Sequence, residues 1–313
     1  MARIDSNNEI RKRLSEYKPG CTRNIQGYWC RRVCLQLYGL SGHGKSSFIN
    51  TCLCVVEDKE HEMVAFSFET EGPITLTRDD YKLGGLYITD NRGLNKLHPE
   101  EYLEMAAQFA HLRCHGDVEW ENGLENTFET LRNRIDRCHT EIIVPVFVYS
   151  AKYDFTKRRP DEISPFIREA CRITGIFPLI VLTHCKKINT DMVCEQFREL
   201  GASYIMSIEN YTAKNPRRNA ETDTKILDFL DVCMKKADQA IDIKQHENNN
   251  IEFFNEAMRQ VKALVKDKLK EKDAKIQELQ KEIKIDEGVY LIIQSERAKL
   301  KEEINSLKNH KEK

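Results

Sequence analysis

Three features of the sequence predict a three-layer α/β domain, with a mainly parallel six-stranded sheet, followed by a long coiled-coil helix. Short apolar runs alternate with amphipathic stretches from Arg32 to Ala240. A glycine-rich turn separates the first apolar run from the first helical one. Beyond residue 255, apolar residues recur in heptads. Strands of a parallel sheet are buried on both faces and read as continuous apolar runs, with helices in the connections to cover them.

Taken in order, the first 31 residues are polar, with a short helical stretch closed by Pro19-Gly20. Val33–Tyr38 reads as the first strand. Met63–Phe68 and Gly85–Thr89 follow, separated by a threonine-rich loop, and Ile142–Tyr149, Pro178–Thr183 and Tyr204–Ile208 complete the six. Helical periodicity fills Glu100–Arg113, Leu124–Cys138, Pro165–Ile173, Thr190–Leu200 and Thr222–Ala240, and the long stretch from His98 to Cys138 predicts extra helices. The expected organisation is therefore a polar segment at 1–31, an α/β domain at 32–242, a linker at 243–254 and a helix at 255–313.

In that last helix, Leu269, Ile276, Ile283, Tyr290, Arg297 and Ile304 occupy position a. Lys272, Leu279, Asp286, Ile293, Leu300 and Leu307 occupy position d, so nine of the twelve are apolar or aromatic. A seam with a period of about 3.5 residues must be buried against another helix. Asp286-Glu287-Gly288 interrupts it, because a buried carboxylate is costly and glycine loosens a helix. The expected partner is a second copy of the chain, in a homodimer or larger oligomer.

Lys+Arg total 49 against 50 Asp+Glu, for a net charge of −1, which argues against a nucleic-acid binder. No apolar run reaches the roughly 18–20 residues needed to span a bilayer. The polar start carries no signal-peptide pattern. Eleven cysteines without disulfide-like spacing read as reduced thiols, and a cytoplasmic protein is expected.

The strongest motif is Gly39-Leu40-Ser41-Gly42-His43-Gly44-Lys45-Ser46, which fits G-x-x-x-x-G-K-[ST] and is followed by Ser47 in a helical stretch. Glycines let successive backbone N–H groups turn inward as a nest for phosphate, and the helix start adds its positive dipole end. Lys45 would reach the terminal phosphates of a nucleotide and Ser46 would coordinate Mg²⁺. After the strand Gly85–Thr89 the chain reads Asp90-Asn91-Arg92-Gly93. Asp90 would hold the Mg²⁺ hydration shell, and the Gly93 amide would contact a γ-phosphate. Between the two motifs, Phe68–Thr77 reads as a switch segment in which Thr75 or Thr70 would complete the metal and sense the γ-phosphate.

This order of motifs resembles the Ras-like class of P-loop GTPases. In that class a strand-end [NT]-K-x-D reads guanine through its carboxylate; here the strand ends Thr183-His184-Cys185-Lys186, and an ammonium has donors only. Ser150-Ala151-Lys152 looks like the class's fifth motif but stands before this strand, in the wrong order. The later turn is Asn210-Tyr211-Thr212. The glycine loop, Thr70-Glu71-Gly72, Leu182-Thr183-His184 and Asn210-Tyr211-Thr212 together resemble the interferon-induced protein-44 family over about Val33 to Ala240. That resemblance implies GTP/GDP binding with Mg²⁺, a link to innate immune response, and nucleotide contacts at Thr183, His184, Asn210 and Tyr211. Members of the family usually keep an aspartate where Lys186 stands.

Leu94 occupies the place of the water-orienting glutamine of Ras-like enzymes, so hydrolysis is expected to be slow, with His43 or a partner's group in the catalytic role beside Gly93. The reading is a nucleotide-switched assembly or scaffold protein with effector proteins as partners. Its rivals are a coiled-coil adaptor with a degenerate nucleotide site, a base-unselective ATP/GTP hydrolase, and an ATP-using phosphotransferase. His111, Cys114 and His115, the cysteines at 30, 34, 52 and 54, and the loop clusters Lys157-Arg158-Arg159 and Lys214, Arg217, Arg218 read as ordinary packing or solvated residues.

Overall fold

The computed structural model describes residues 2–23, 30–65, 77–94, 99–111, 116–117, 140–153, 159–186 and 188–246, and helical positions scattered between 266 and 302. Within these, α1 is Ala2–Glu16, β1 Arg32–Tyr38, α2 Lys45–Val56, β2 Thr77–Leu83, β3 Leu86–Asp90, α3 Pro99–Phe109, β4 Gly116–Asp117 and β5 Glu141–Ser150. There follow α4 Arg159–Thr174, β6 Leu179–Thr183, α5 Asp191–Glu199, β7 Ile205–Ser207 and α6 Ala220–His246. The sheet order is β4-β2-β3-β1-β5-β6-β7. β1 pairs in parallel with β3 and β5, and β6 and β7 continue the parallel run. β2 is antiparallel to β3, and the two-residue β4 is antiparallel to β2. The mostly parallel six-stranded α/β sheet is thus present, with one short strand added at its edge.

β5 and β6 are buried along their whole lengths, as central strands covered on both faces must be. β1 shows how the layers form. Val33, Leu35 and Leu37 join the main core with residues of α1, α2 and α6. Tyr38 points the other way, with its ring 5.3 Å from Phe109 of α3 and 5.1 Å from Phe147 of β5, which meets Phe197 of α5 at 5.9 Å.

Two strand expectations change. Met63 and Val64 are exposed coil rather than strand, and residues 66–68 lie outside the described ones. The second strand is instead Thr77–Leu83, whose charges concealed it. A Gly84-Gly85 turn joins it to β3, with Gly84 at φ +62, the left-handed conformation such two-residue hairpins need. Helix α4 begins at Arg159, ahead of Pro165. The helix expected at Leu124–Cys138 lies outside the described residues.

The structure adds the N-terminal segment to the α/β domain. Leu14 is fully buried, and Ile10 and Tyr17 nearly so. The Leu14 carbonyl accepts the Gly85 amide at 2.8 Å, and a Cβ on Gly85 would fall 2.2 Å from the Tyr17 oxygen, so the hairpin tip is seated on the end of α1. Asp238 of α6, fully buried, accepts from the Tyr17 hydroxyl at 2.6 Å, the Gly20 amide at 2.6 Å and the Thr22 amide at 2.7 Å. Helix α6 itself runs to His246, into the stretch read as linker.

The chain divides into two units, Met1–Val261 and Lys262–Lys313. The described residues of the second are helical and exposed. All the seam positions except Lys272 and Arg297 lie outside the described residues, as do 247–265.

Asp238→Ala would leave three donors facing a buried gap. Removing a charged acceptor from buried partners costs several kcal/mol. The expected loss is about 3 kcal/mol or more in urea unfolding, with the N-terminal helix the first region to lose protection from hydrogen exchange.

Candidate functional site

The loop 39–46 leaves the end of β1 and turns straight into α2. Gly39 has φ +145, and a Cβ there would fall 2.2 Å from the Val148 carbonyl oxygen of β5. Any side chain would push two central strands apart. Past this point Leu40 bridges Leu94 in parallel. The Ser41 amide donates to the Leu94 carbonyl at 2.8 Å, and the Leu94 amide donates to the Gly39 carbonyl at 3.0 Å. The ladder between β1 and β3 therefore continues into both loops. Gly44 caps α2 in the left-handed conformation, with φ 85, and makes no side-chain cap. The first-turn N–H groups of α2 are left to receive an anion.

Lys45, Ser46 and Asp90 meet at this helix start. Lys45 is buried, and its Nζ donates to the Gly39 and Leu40 carbonyls at 3.1 and 3.0 Å. Burial lowers its pKa to about 8, against the pull of the Asp90 carboxylate. The Ser46 hydroxyl donates to Asp90 Oδ2 at 2.7 Å. Asp90 is buried, and its Oδ1 has no hydrogen-bond partner among the described residues. Burial raises its pKa to about 6, opposed by the Ser46 hydrogen bond and by Lys45. A serine hydroxyl that donates keeps lone pairs for a cation, and an orphaned carboxylate oxygen beside it is a hard donor. These groups fit Mg²⁺ in kind. No group of three or more His, Cys, Asp or Glu able to hold a metal occurs among the described residues.

Gly93 closes the other side. A Cβ there would fall 2.6 Å from the Ser41 Cα, so the Asp90–Gly93 turn lies directly against the glycine loop. Asn91 ties that turn down by donating to the Leu37 carbonyl at 2.8 Å. Thr70 and Thr75, the alternative switch threonines, lie outside the described residues.

From the far side, two strand ends grip the loop. Thr183, at the end of β6, donates to the His43 carbonyl at 2.8 Å. Asn210, beyond β7, donates through Nδ2 to the Gly44 carbonyl at 3.1 Å. Its Oδ1 is buried without a hydrogen-bond partner among the described residues. His184, at φ 54, sets Nδ1 3.1 Å from both Ser150 Oγ and Thr183 Oγ1. Thr183, His184 and Asn210 supply the atoms nearest to where a Gly44 Cβ would stand. Leu40, Ser41, Gly42 and Ser47 complete the loop and the helix start.

Two residues given direct roles by the sequence are packed into the domain. The His43 ring is stacked on Tyr153 at 4.8 Å and edge-on to Tyr149 at 4.9 Å, with Nδ1 accepting the Ser150 amide at 3.1 Å. It is buried beneath the loop. Tyr211 is fully buried, with its amide on Thr51 Oγ1 at 2.9 Å and its hydroxyl on Asp223 at 2.8 Å, so it braces α2 against α6. One residue was missed altogether: Glu209 Oε2 accepts the Lys186 backbone amide at 3.0 Å. An acidic residue just after the last strand was the available signal.

A recess of about 430 Å³ lies away from this site, between α3 and α4. It is lined by Tyr102, Asp161, Arg168 and the paired Glu169 and Arg172. Compared with models of protein families the chain matches none, and no curated protein matches it either.

In metal-free buffer burial holds the Asp90 pKa up at about 6, against an ordinary value of 3.8 in the free group. The folded state thus binds more protons across that window, and stability falls as pH rises through it, by about 2–3 kcal/mol. Urea unfolding of Asp90→Asn should lack this fall, so that the variant overtakes wild type between about pH 4 and pH 7.

Proposed function

We propose that this chain is a Mg²⁺-dependent guanine-nucleotide-binding protein of the P-loop, Ras-like type, and that it works as a nucleotide-switched assembly or scaffold protein with slow GTP hydrolysis. The observation that carries the reading is the convergence at one helix start of an uncapped backbone, the buried Lys45 ammonium, and the Ser46–Asp90 pair with its orphaned Oδ1.

A triphosphate would take the loop amides and the first turn of α2. Lys45 would exchange the Gly39 and Leu40 carbonyls for phosphate oxygens, which compensates an ammonium now held by neutral groups alone. When bound, Mg²⁺ neutralises and orients the phosphate charge. Ser46 and Asp90 are the residues that would hold it, Ser46 directly and Asp90 through its hydration shell, with Thr75 or Thr70 completing the set. The Gly93 amide, which has no acceptor among the described residues, is near enough to Ser41 to meet the terminal phosphate. Leu94, buried and bridged to Leu40, cannot orient water, which supports slow turnover.

The switch would order residues 68–77 and the Asp90–Leu94 turn, presenting a surface to a second protomer. The heptads at 269–307 would raise the effective concentration of that protomer. An innate-immune role rests on the family resemblance alone. A second reading, an adaptor with a degenerate nucleotide site, is favoured by Lys186 in the place of the base-reading carboxylate.

Titration with fluorescent GTP, GDP, ATP and ADP should show guanine-nucleotide binding that weakens on chelation of Mg²⁺. Lys45→Ala should weaken it on the order of a hundredfold, as expected when a charged phosphate contact is removed. Absence of any nucleotide binding would leave the adaptor reading.

A further inference from the structure

The domain has a place for phosphates, but the residue expected to read the base is a lysine. An ammonium donates hydrogen bonds and accepts none. Guanine offers two neighbouring donors on one edge, its ring N1–H and its exocyclic amine, and only an acceptor pair such as a carboxylate meets both. Adenine puts an unprotonated ring nitrogen at the same place and repels a carboxylate.

Such a carboxylate stands one hydrogen bond away from Lys186. β6 and β7 stay paired to their ends, with Leu182 opposite Ser207 and the Ile208 amide donating to the Leu182 carbonyl at 2.8 Å. His184 then turns the chain in the left-handed conformation, and Cys185 Sγ donates back to the Leu182 carbonyl at 3.2 Å. This brings the Lys186 amide to Glu209 Oε2 at 3.0 Å. The contact uses the backbone of Lys186, whose side chain is exposed, so it does not depend on what residue 186 is. Glu209 Oε1 accepts no hydrogen bond among the described residues.

Both strand ends that carry this pair are also tied to the phosphate loop. Thr183 holds the His43 carbonyl and Asn210 the Gly44 carbonyl. Glu209 immediately precedes Asn210, so its backbone is fixed relative to the helix start that would take the phosphates. The buried Asn210 Oδ1, without a hydrogen-bond partner among the described residues, adds a further acceptor at Gly44. A ligand lying across the carboxyl ends of β1, β6 and β7, in the crevice where open α/β sheets bind nucleotides, would meet acceptors at its base end and donors at its phosphate end.

We infer that Glu209 supplies the carboxylate that selects guanine, from the loop after β7, in place of the one missing at Lys186. The inference rests on the nucleotide-binding reading above. The base edge would take Glu209 Oε1 and the remaining lone pairs of Oε2, while the Lys186 amide keeps the carboxyl group from swinging away.

The test exchanges the hydrogen-bonding sense of this one group. Glu209→Gln keeps a carbonyl oxygen for the Lys186 amide but offers an amide donor where the carboxylate accepted. Xanthine carries a carbonyl in place of the exocyclic amine of guanine and suits that donor. Binding of GTP, ATP and xanthosine triphosphate would be titrated with Mg²⁺ for wild type, Glu209→Gln, Glu209→Ala and Lys45→Ala. Wild type should prefer GTP to both others by roughly tenfold to a hundredfold, the usual worth of a bidentate base contact. Glu209→Gln should lose that preference and gain affinity for the xanthine nucleotide, and Glu209→Ala should lose the preference without the gain. A wild type that binds GTP and ATP equally, or a Glu209→Gln variant with unchanged preference, overturns the role of Glu209 while Lys45-dependent binding leaves the nucleotide reading standing. No binding of any nucleotide by wild type overturns both.

Discussion

Two opposite charges are held out of water where β1 and β3 end, and the surrounding structure depends on keeping them there. Lys45 and Asp90 are both buried, yet no direct ion pair joins them among the described residues: the ammonium bonds two backbone carbonyls and the carboxylate bonds a serine. Buried charges without full compensation raise the energy of the folded state. Their pKa values move accordingly, the lysine down to about 8 and the aspartate up to about 6. Such a site is poised for a ligand carrying anionic oxygens and a cation, which would meet both charges at once.

The glycine loop around Lys45 is held by other elements rather than by itself. Its carbonyls at His43 and Gly44 are taken by side chains from beyond β6 and β7, and its amide at Ser41 by the turn after β3. The His43 ring is clasped between two tyrosines of the β5 end. Three glycines, at 39, 44 and 93, are required by close approach of neighbouring backbone or side chains. The loop is consequently preorganised by long-range contacts, and it would fail if any one of four strand ends moved.

Much of this was legible in the sequence, and the parts that were not share a cause. The apolar runs of β1, β5 and β6 are unambiguous because both their faces are buried, and the glycine spacing marks the loop. β2 was missed because its side chains are charged: Arg78 is buried on Gln36 through Nη2 at 3.0 Å, and Asp80 receives Arg32 and the Thr89 hydroxyl. Charge in a strand signals an edge or a surface until its buried partners are seen. The apolar spacing of Ile10 and Leu14 in α1, and of Tyr17 just after it, was present but sparse among polar neighbours. The burial of the His43 and Tyr211 rings was not legible because a motif fixes the backbone and not the direction of each side chain. The Glu209 contact was not legible because its partner lies in the loop after another strand, a relation that spacing along the chain cannot express.

The bridge between Leu40 and Leu94 has an evolutionary consequence. It locks two loops, from different parts of the chain, into one continuous ladder with fixed register. The Leu40 and Leu94 side chains are buried, but the bridge itself is made by amides and carbonyls that every residue except proline possesses. At positions in these loops other than the three glycines, Asn91 and the residues of the site itself, the domain should therefore accept changes of residue far more readily than changes of length. Inserting or deleting a single residue in either loop would slide Asp90 away from Ser46, whereas replacing Arg92 would leave the register intact.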